Sequence, residues 1–532
     1  MTSATSGRLA RAAGLAGAAT LASRVLGLAR ETVLAAIFGA GNQMDAFMVA
    51  FRLPNLVRDL FAEGAMSAAL IPTFTRHLER SGKTDAWRFG NNVINGLLLV
   101  TGALVVTAMV FVRPIVQAYA GDYAAVPGKI ELTIHLTLVM LPFLTLAAVA
   151  AAAMGMLNSL HHYFVPALSP ATFNVVAIAC AFLLVPLMPA FGWPGITAMA
   201  ISVILGGLAQ IAIQWPSLRQ EGFRYRATLD PRDPALGEIL VLMGPGAVGL
   251  AATQVNIFVN TQLATGLGTG AVSWLNYAFR LMYLPIGLFG VSIATAVLPL
   301  AARHAALEDT RAIKETVSRG LGLMMTMNVP AALGLAVLAT PIARLLFERG
   351  QFLPSDTEAT ASALRFYAVG LVGYSTARIA SPVFYTIGRT RVPMAASVVS
   401  MTCNLVASMS LVRVLGFRGL ALGTSLAALA NAAVLLFFLR RQFGSIQGRR
   451  LAVAFMKIAV ASLAMAMAAW LVERALSGAL PGSAAALQAV RLAAAIIAGI
   501  LVLVASARLL RLEELDEARE MARQLVTRSV RS

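Results

Sequence analysis

Several arginines and carboxylates stand inside stretches of sequence that are otherwise apolar. Arg24, Arg30 and Glu31 lie in one such run, Asp45, Arg52, Arg58, Asp59 and Glu63 in the next, and Arg280 in a third. A charge at mid-bilayer costs at least ~2.5–3.5 kcal/mol, so such residues face a cavity or a partner. Arg24, Gly27 and Glu31 follow i, i+3, i+7 spacing and share a helical face, with Arg30 off that stripe. Asp45, Arg52 and Asp59 are spaced by seven and would form one stripe on a straight helix, but Pro54 bends it. Pro285, five residues after Arg280, cannot donate to the carbonyl of Leu281, which predicts a free acceptor beside the guanidinium and a hinge.

The acids could neutralise the arginines as structural ion pairs, Arg24 with Asp45 or Arg58 with Glu63, and residues near the ends of runs could snorkel. Yet Arg24, Arg30, Arg52, Arg58 and Arg280 outnumber Glu31, Asp45, Asp59 and Glu63, and Arg280 has no acid in its own run. The surplus points to an anionic ligand. Arginine favours phosphate in particular, because its planar fork donates two parallel hydrogen bonds. Arg365 and Arg378, in another run, receive no role.

The elements that must position these residues are membrane helices. Apolar residues make up 58% of the 532-residue chain and charged residues 12%, half the ~25% usual in soluble domains. Apolar runs at about 10–38, 45–71, 90–117, 131–158, 164–187, 195–216, 236–264, 271–300, 316–345, 360–386, 393–414, 418–439, 450–473 and 487–509 predict fourteen transmembrane helices, each near or above the ~20 residues a span needs. The first run is too long for a cleavable signal peptide and holds Arg24 and Arg30.

With the N-terminus placed in the cytoplasm, eighteen Lys and Arg fall in cytoplasmic loops and seven in the opposite loops. That asymmetry fits the positive-inside rule and an even helix count, with both termini cytoplasmic and a charged tail from Arg511 to Ser532. It also accounts for the net charge of +18 without nucleic acid. FRLPNLVRDLF at 51 recurs as FRLMYLPIGLF at 279, an offset of 228 residues and six helices. This predicts a parallel repeat of two six-helix halves, and transporters built from repeats place their site at the repeat interface.

Several function classes lack their residues. There is no Walker loop or nucleotide fingerprint, so no ATP-driven step is supported. No Asp cluster for magnesium and no His base beside a nucleophile suggests an enzyme. Cys180 and Cys403 lie in separate apolar runs, and the five histidines have no metal spacing; His161 and His162 close a helix at the membrane surface. No cofactor or metal is expected.

SRVLGLARE (23–31), FGAGNQMDAFMVAFRLPNLVRDLFAEGAMSAALIP (38–72), VSWLNYAFRLMYLPIGLFGVSIATAVLPLAAR (272–303), GPG (244–246) and FERGQF (347–352) closely resemble the MurJ/MviN family of lipid II flippases, essentially from end to end. The resemblance implies a fold of the multidrug/oligosaccharidyl-lipid/polysaccharide exporter type: an all-α integral membrane protein with two six-helix lobes around a central cavity and two further helices forming a groove for a lipid tail. The corresponding division is 1–222, 223–445, 446–512 for the two last helices, and 513–532 for the tail. The resemblance carries the family's cavity arginines onto Arg24, Arg30, Arg58 and Arg280, with Asp45 as a polar partner, Glu63 in the FAEG motif and Arg52 at a position basic in relatives.

Two departures stand out. Phe279 and Tyr283 occupy places around Arg280 where relatives carry acids. The seventh and eleventh helices offer Asn256 and Asn404 and no carboxylate at depth, so the sodium site of some relatives is not expected. The implied activity is movement of undecaprenyl-pyrophosphate-linked disaccharide-pentapeptide from the cytoplasmic to the outer leaflet of the inner membrane, for cell-wall synthesis, by alternating access. The expected partners are lipid II, membrane lipid and the cell-wall synthesis machinery. The competing reading is a cation-coupled drug exporter, or an exporter of another polysaccharide lipid, on the same fold; a drug antiporter wants buried carboxylates where this sequence places arginines.

Overall fold

The computed structural model describes residues 3–60, 66–444, 448–482 and 484–512. Glu63 and the tail 513–532 lie outside the described residues. The chain is all-α, with no strand among those residues. Nine of its helices, among the described residues, are long and apolar enough to cross a membrane. Others of the expected runs are interrupted or charged. The second is described to Leu60 and carries Arg52, Arg58 and Asp59, the eighth is broken in its middle, and the tenth is divided at Gly370.

Contacts divide the chain into two compact units, one ending at Ser273 and the other beginning at Trp274. The first holds α1 (Ser3–Phe38), α2 (Asn42–Leu60), α3 (Met66–Val110), α4 (Val112–Ala120), α5 (Lys129–Met140), α6 (Phe143–Ser159), α7 (Phe164–Leu183), α8 (Ile196–Gln220) and α9 (Pro234–Thr265). α10 (Ala271–Pro285) starts in this unit and carries the chain into the next.

Within the first unit α3 packs on α6 and α9, α7 on α1 and α8, and α2 on α5. Leu70, Phe74, Trp87, Phe89, Met156 and Phe223 form a core at one end. α3 changes direction at Gly82, whose φ of 79° is a left-handed conformation that a residue with a Cβ resists. Phe51, the first residue of the repeated motif, stacks among Phe47, Phe143 and Phe173 at centroid distances of 5.8, 6.2 and 6.4 Å.

The second unit continues through one π turn (Ile286–Gly290) into α11 (Val291–Ala306), followed by α12 (Thr310–Val337), α13 (Ala339–Phe347), α14 (Pro354–Val369), α15 (Leu371–Thr386), α16 (Arg391–Leu415), α17 (Phe417–Phe443), α18 (Gly448–Ala479) and α19 (Ala485–Leu509). Pro285 is the last residue of α10, and the π turn follows it directly. α16 lies so close to α17 that a Cβ on Gly419 would sit 2.5 Å from the Leu411 carbonyl. Small residues permit such approach between membrane helices, where dispersion and not water exclusion drives contact. α18 packs on α12 and α19. Phe279, the repeat counterpart of Phe51, packs among Tyr283, Tyr367 and Tyr374 at 5.8, 5.5 and 6.4 Å. Each copy of the motif thus centres an aromatic cluster in its own unit.

Candidate functional site

In the first unit α1 and α2 carry the expected arginines. α7 braces α1: Asn174 donates to the Ser23 carbonyl at 3.2 Å, one residue before Arg24, which is half-buried. Arg30 pairs with Glu31 at 2.5 Å, and its guanidinium lies 5.6 Å from the centre of the Phe173 ring. The Nε of Arg30 is buried without a hydrogen-bond partner among the described residues. Arg52 is half-buried on α2, beside the Phe51 cluster. Arg58 grips one oxygen of Asp59 twice, at 2.6 Å from Nη2 and 3.1 Å from Nε. Gln254 of α9 donates to the other oxygen at 3.3 Å. The contact joins α2 to α9.

Asp45 pairs with Lys129 at the start of α5, not with Arg24. Its Oδ2 accepts from Lys129 Nζ at 3.0 Å and from the Gly270 amide at 2.8 Å; its Oδ1 accepts from the Ser273 amide at 3.1 Å and hydroxyl at 2.7 Å. The carboxylate thereby caps the first turn of α10 from a distant part of the chain, where helical amides otherwise lack acceptors. Lys129 lies 3.9 Å from the centre of the Tyr123 ring, a cation–π contact. Burying a charge is costly unless it is paired and hydrogen-bonded, and this one is both.

In the second unit Arg280 is an exposed residue of α10. Tyr283, one turn on, accepts a hydrogen bond from Arg378 of α15, whose guanidinium lies 5.8 Å from the Tyr283 ring centre. Arg365 bonds Glu358 at 3.1 Å and Thr340 at 2.8 Å. Trp274 donates to Asp356 at 2.9 Å, and Tyr277 packs on Phe347 and Phe352 of the FERGQF segment. No group of three or more His, Cys, Asp and Glu that could hold a metal ion occurs among the described residues.

Three residues of these networks carry no site signal in the sequence, Lys129, Asn174 and Gln254, and a fourth, Arg378, stands out there without a role. Lys129 reads as a loop cation beside a glycine, and only the fold brings it to Asp45, 84 residues earlier. The uncharged amides gave no signal. Arg378 was visible as a charge in an apolar run.

The lipid II flippase MurJ family model matches residues 34–488. The chain belongs to that family. A probable lipid II flippase MurJ of Rhizobium meliloti is 36% identical over 428 residues, 79% of this chain and 78% of that protein. The lipid II flippase MurJ of Burkholderia cenocepacia is 32% identical over 427 residues, 80% of this chain and 82% of the relative. Among solved structures, a lipid II flippase MurJ in an inward closed conformation aligns with a TM-score of 0.76 at 27% identity, covering 93% of this chain and 98% of that one. An inward-facing multidrug MATE transporter aligns at 0.68 with 16% identity over 80% and 96% of the chains, a likeness of fold alone. Like the rest of the bacterial MurJ family, the chain is a multi-pass membrane protein.

Proposed function

We propose that this protein moves lipid II, an undecaprenyl-pyrophosphate-linked disaccharide-pentapeptide, from the cytoplasmic to the outer leaflet of the bacterial inner membrane. Membership of the MurJ family supports the substrate. The observation that carries the chemistry is the charge balance around Asp45. Lys129 neutralises that carboxylate, so it leaves the set of acids available to the arginines of α1 and α2. On α1 and α2 the described acids Glu31 and Asp59 then accompany four arginines, Arg24, Arg30, Arg52 and Arg58. A cationic site of this kind suits a pyrophosphate and repels a cationic drug.

In this reading the arginines contact the pyrophosphate, Asp45 holds the start of α10, and Glu63 belongs to the same constellation. Fourteen helices form two six-helix lobes around a cavity, with α18 and α19 as the lipid-tail groove and both termini cytoplasmic. Transport proceeds by alternating access without bond-making chemistry, alongside the cell-wall synthesis machinery. The test is depletion of the protein in its own cell: lipid II should accumulate on the cytoplasmic side. Normal outward delivery after complete depletion, with no second flippase present, would overturn the reading.

A further inference from the structure

The connection between α8 and α9 is unusual in how firmly it is held. Asn91, Asn92 and Asn95 of α3 read its backbone group by group. Asn91 accepts from the Arg226 amide at 2.8 Å and donates to the Arg224 carbonyl at 3.0 Å. Asn95 donates to the carbonyls of Arg226 and Thr228 at 2.7 and 2.9 Å. Asn92 accepts from the Asp230 amide at 2.8 Å and donates to its carbonyl at 3.1 Å. Trp87 donates to the Glu221 carbonyl at 3.2 Å, and the Tyr225 hydroxyl to Asn95 at 2.7 Å. Connections between helices are ordinarily the mobile parts of a fold. This one is held by hydrogen bonds from the protein's own side chains.

It presents four arginines. Arg219 closes α8, and Arg224, Arg226 and Arg232 follow; all are exposed, and none has an acid partner among the described residues. Of the neighbouring acids, Asp230 accepts from the backbone amide of Arg232 at 3.1 Å, and three others are engaged elsewhere. Glu221 binds Lys83 and His162, each at 2.8 Å, and Glu238 binds Arg76 at 2.7 Å. Asp233 caps α9 and accepts from Asn92 at 2.9 Å. The segment begins where α8, a membrane-length helix, ends at Gln220, which sets it at the level of lipid headgroups. Tyr225 and Leu229 are exposed there, as residues that settle at the acyl–headgroup boundary are.

We propose that this connection is a pre-ordered binding site for the phosphate of anionic phospholipid headgroups in the adjacent leaflet. The arginines supply charge and forked donors. The three asparagines remove the ordering cost that a loose basic loop would incur on binding. The occupant is bilayer lipid, because the site lies where α8 leaves the membrane. The proposal stands independently of the transported cargo.

The experiment uses the full chain reconstituted in vesicles of phosphatidylcholine with phosphatidylglycerol, with retained lipid read by native mass spectrometry. The wild type should retain phosphatidylglycerol preferentially, and the preference should fall with salt. R219Q/R224Q/R226Q/R232Q should lose it by at least about tenfold, and the corresponding four-lysine variant should keep most of it, which separates charge from misfolding. N91A/N95A retains every arginine and should lose part of the preference. An unchanged preference in a monodisperse four-glutamine variant would overturn the site, and an unchanged N91A/N95A variant would overturn the pre-ordering. A four-glutamine variant that kept its phosphatidylglycerol preference but lost capture of added polyprenyl pyrophosphate would overturn the proposal in favour of a cargo entry site.

Discussion

Lys129 brings its ammonium to within 3.0 Å of Asp45 across 84 residues of sequence, and both side chains are buried. The two are unequal partners. Without Lys129 the carboxylate keeps three donors from Gly270 and Ser273; without the carboxylate's charge Lys129 keeps the face of Tyr123. Removing one member of a buried pair costs about 3–5 kcal/mol. Asp45→Asn should therefore destabilise more than Lys129→Met, and the double variant should recover part of the loss. Thermal unfolding in detergent ranks the three; a Lys129→Met variant less stable than Asp45→Asn would contradict the order.

The arginines predict a pattern in function without loss of insertion. Alanine at Arg24, Arg30, Arg58 or Arg280 should abolish complementation of a depleted strain at normal protein level. Lysine should rescue only in part, since it keeps the charge and loses the fork. At Arg30 it also loses the planar contact with Phe173. If all four alanine variants complement, the cationic site has no part in transport.

Glu221 lies outside the membrane spans, and its carboxyl is held below the ordinary value of 4.5, first by hydrogen bonds from Lys83 and His162. A lowered folded value means that the pairing contributes fully above the ordinary carboxylate range. The contribution is lost as pH falls through the lowered value. Lys83→Met should move that loss to higher pH. Hydrogen exchange of residues 221–233 against pH reads it directly, and identical profiles for the two proteins would remove Glu221 from the hold on this connection.

Orientation is open to thiol labelling once Cys180 and Cys403 are replaced. Single cysteines at Arg80, Arg226 and Lys314 should be shielded from an impermeant reagent outside intact cells. Those at Gly41, Gly268 and Ser355 should react. The reverse pattern would invert the proposed topology and the reading of eighteen loop cations against seven.

Membrane potential should accelerate flipping. A pyrophosphate carrying about two negative charges moves downhill out of a negative cytoplasm, at roughly 2.3 kcal/mol per charge per 100 mV. Reconstituted vesicles with a potassium-diffusion potential and no sodium provide the measurement. A rate indifferent to the sign of the potential would exclude this coupling.

The sequence revealed the helical membrane class, the family and the arginines, because insertion costs and apolar run lengths are local properties. The partner of Asp45 was not visible, since Lys129 lies in a connection that only the fold brings back to α2. Arg58 shows the same limit at short range: it bonds its neighbour Asp59, and Gln254 completes the contact from nearly two hundred residues away. Spacing by seven along α2 could not show this, because it relates residues of one helix and Gln254 comes from another. α9 stays with the first unit, to which Gln254, Arg76–Glu238 and the three asparagines tie it or its lead-in segment.

The π turn at 286–290 has an evolutionary side. Such a turn accommodates one residue more than the α-helical path it replaces. Deleting a single residue there would restore uninterrupted winding and leave residues 291–306 in the phase they now hold relative to Arg280, whereas rewinding the turn as α-helix without a deletion would rotate them by about 100° and displace them by about 1.5 Å. With the extra residue kept and the π turn lost, every letter would be unchanged, yet a different set would share the arginine's face. The π turn therefore acts as a heritable buffer at this one point, and a relative with matching motifs and one residue fewer here, wound as plain α-helix, would present the same residues to its arginine.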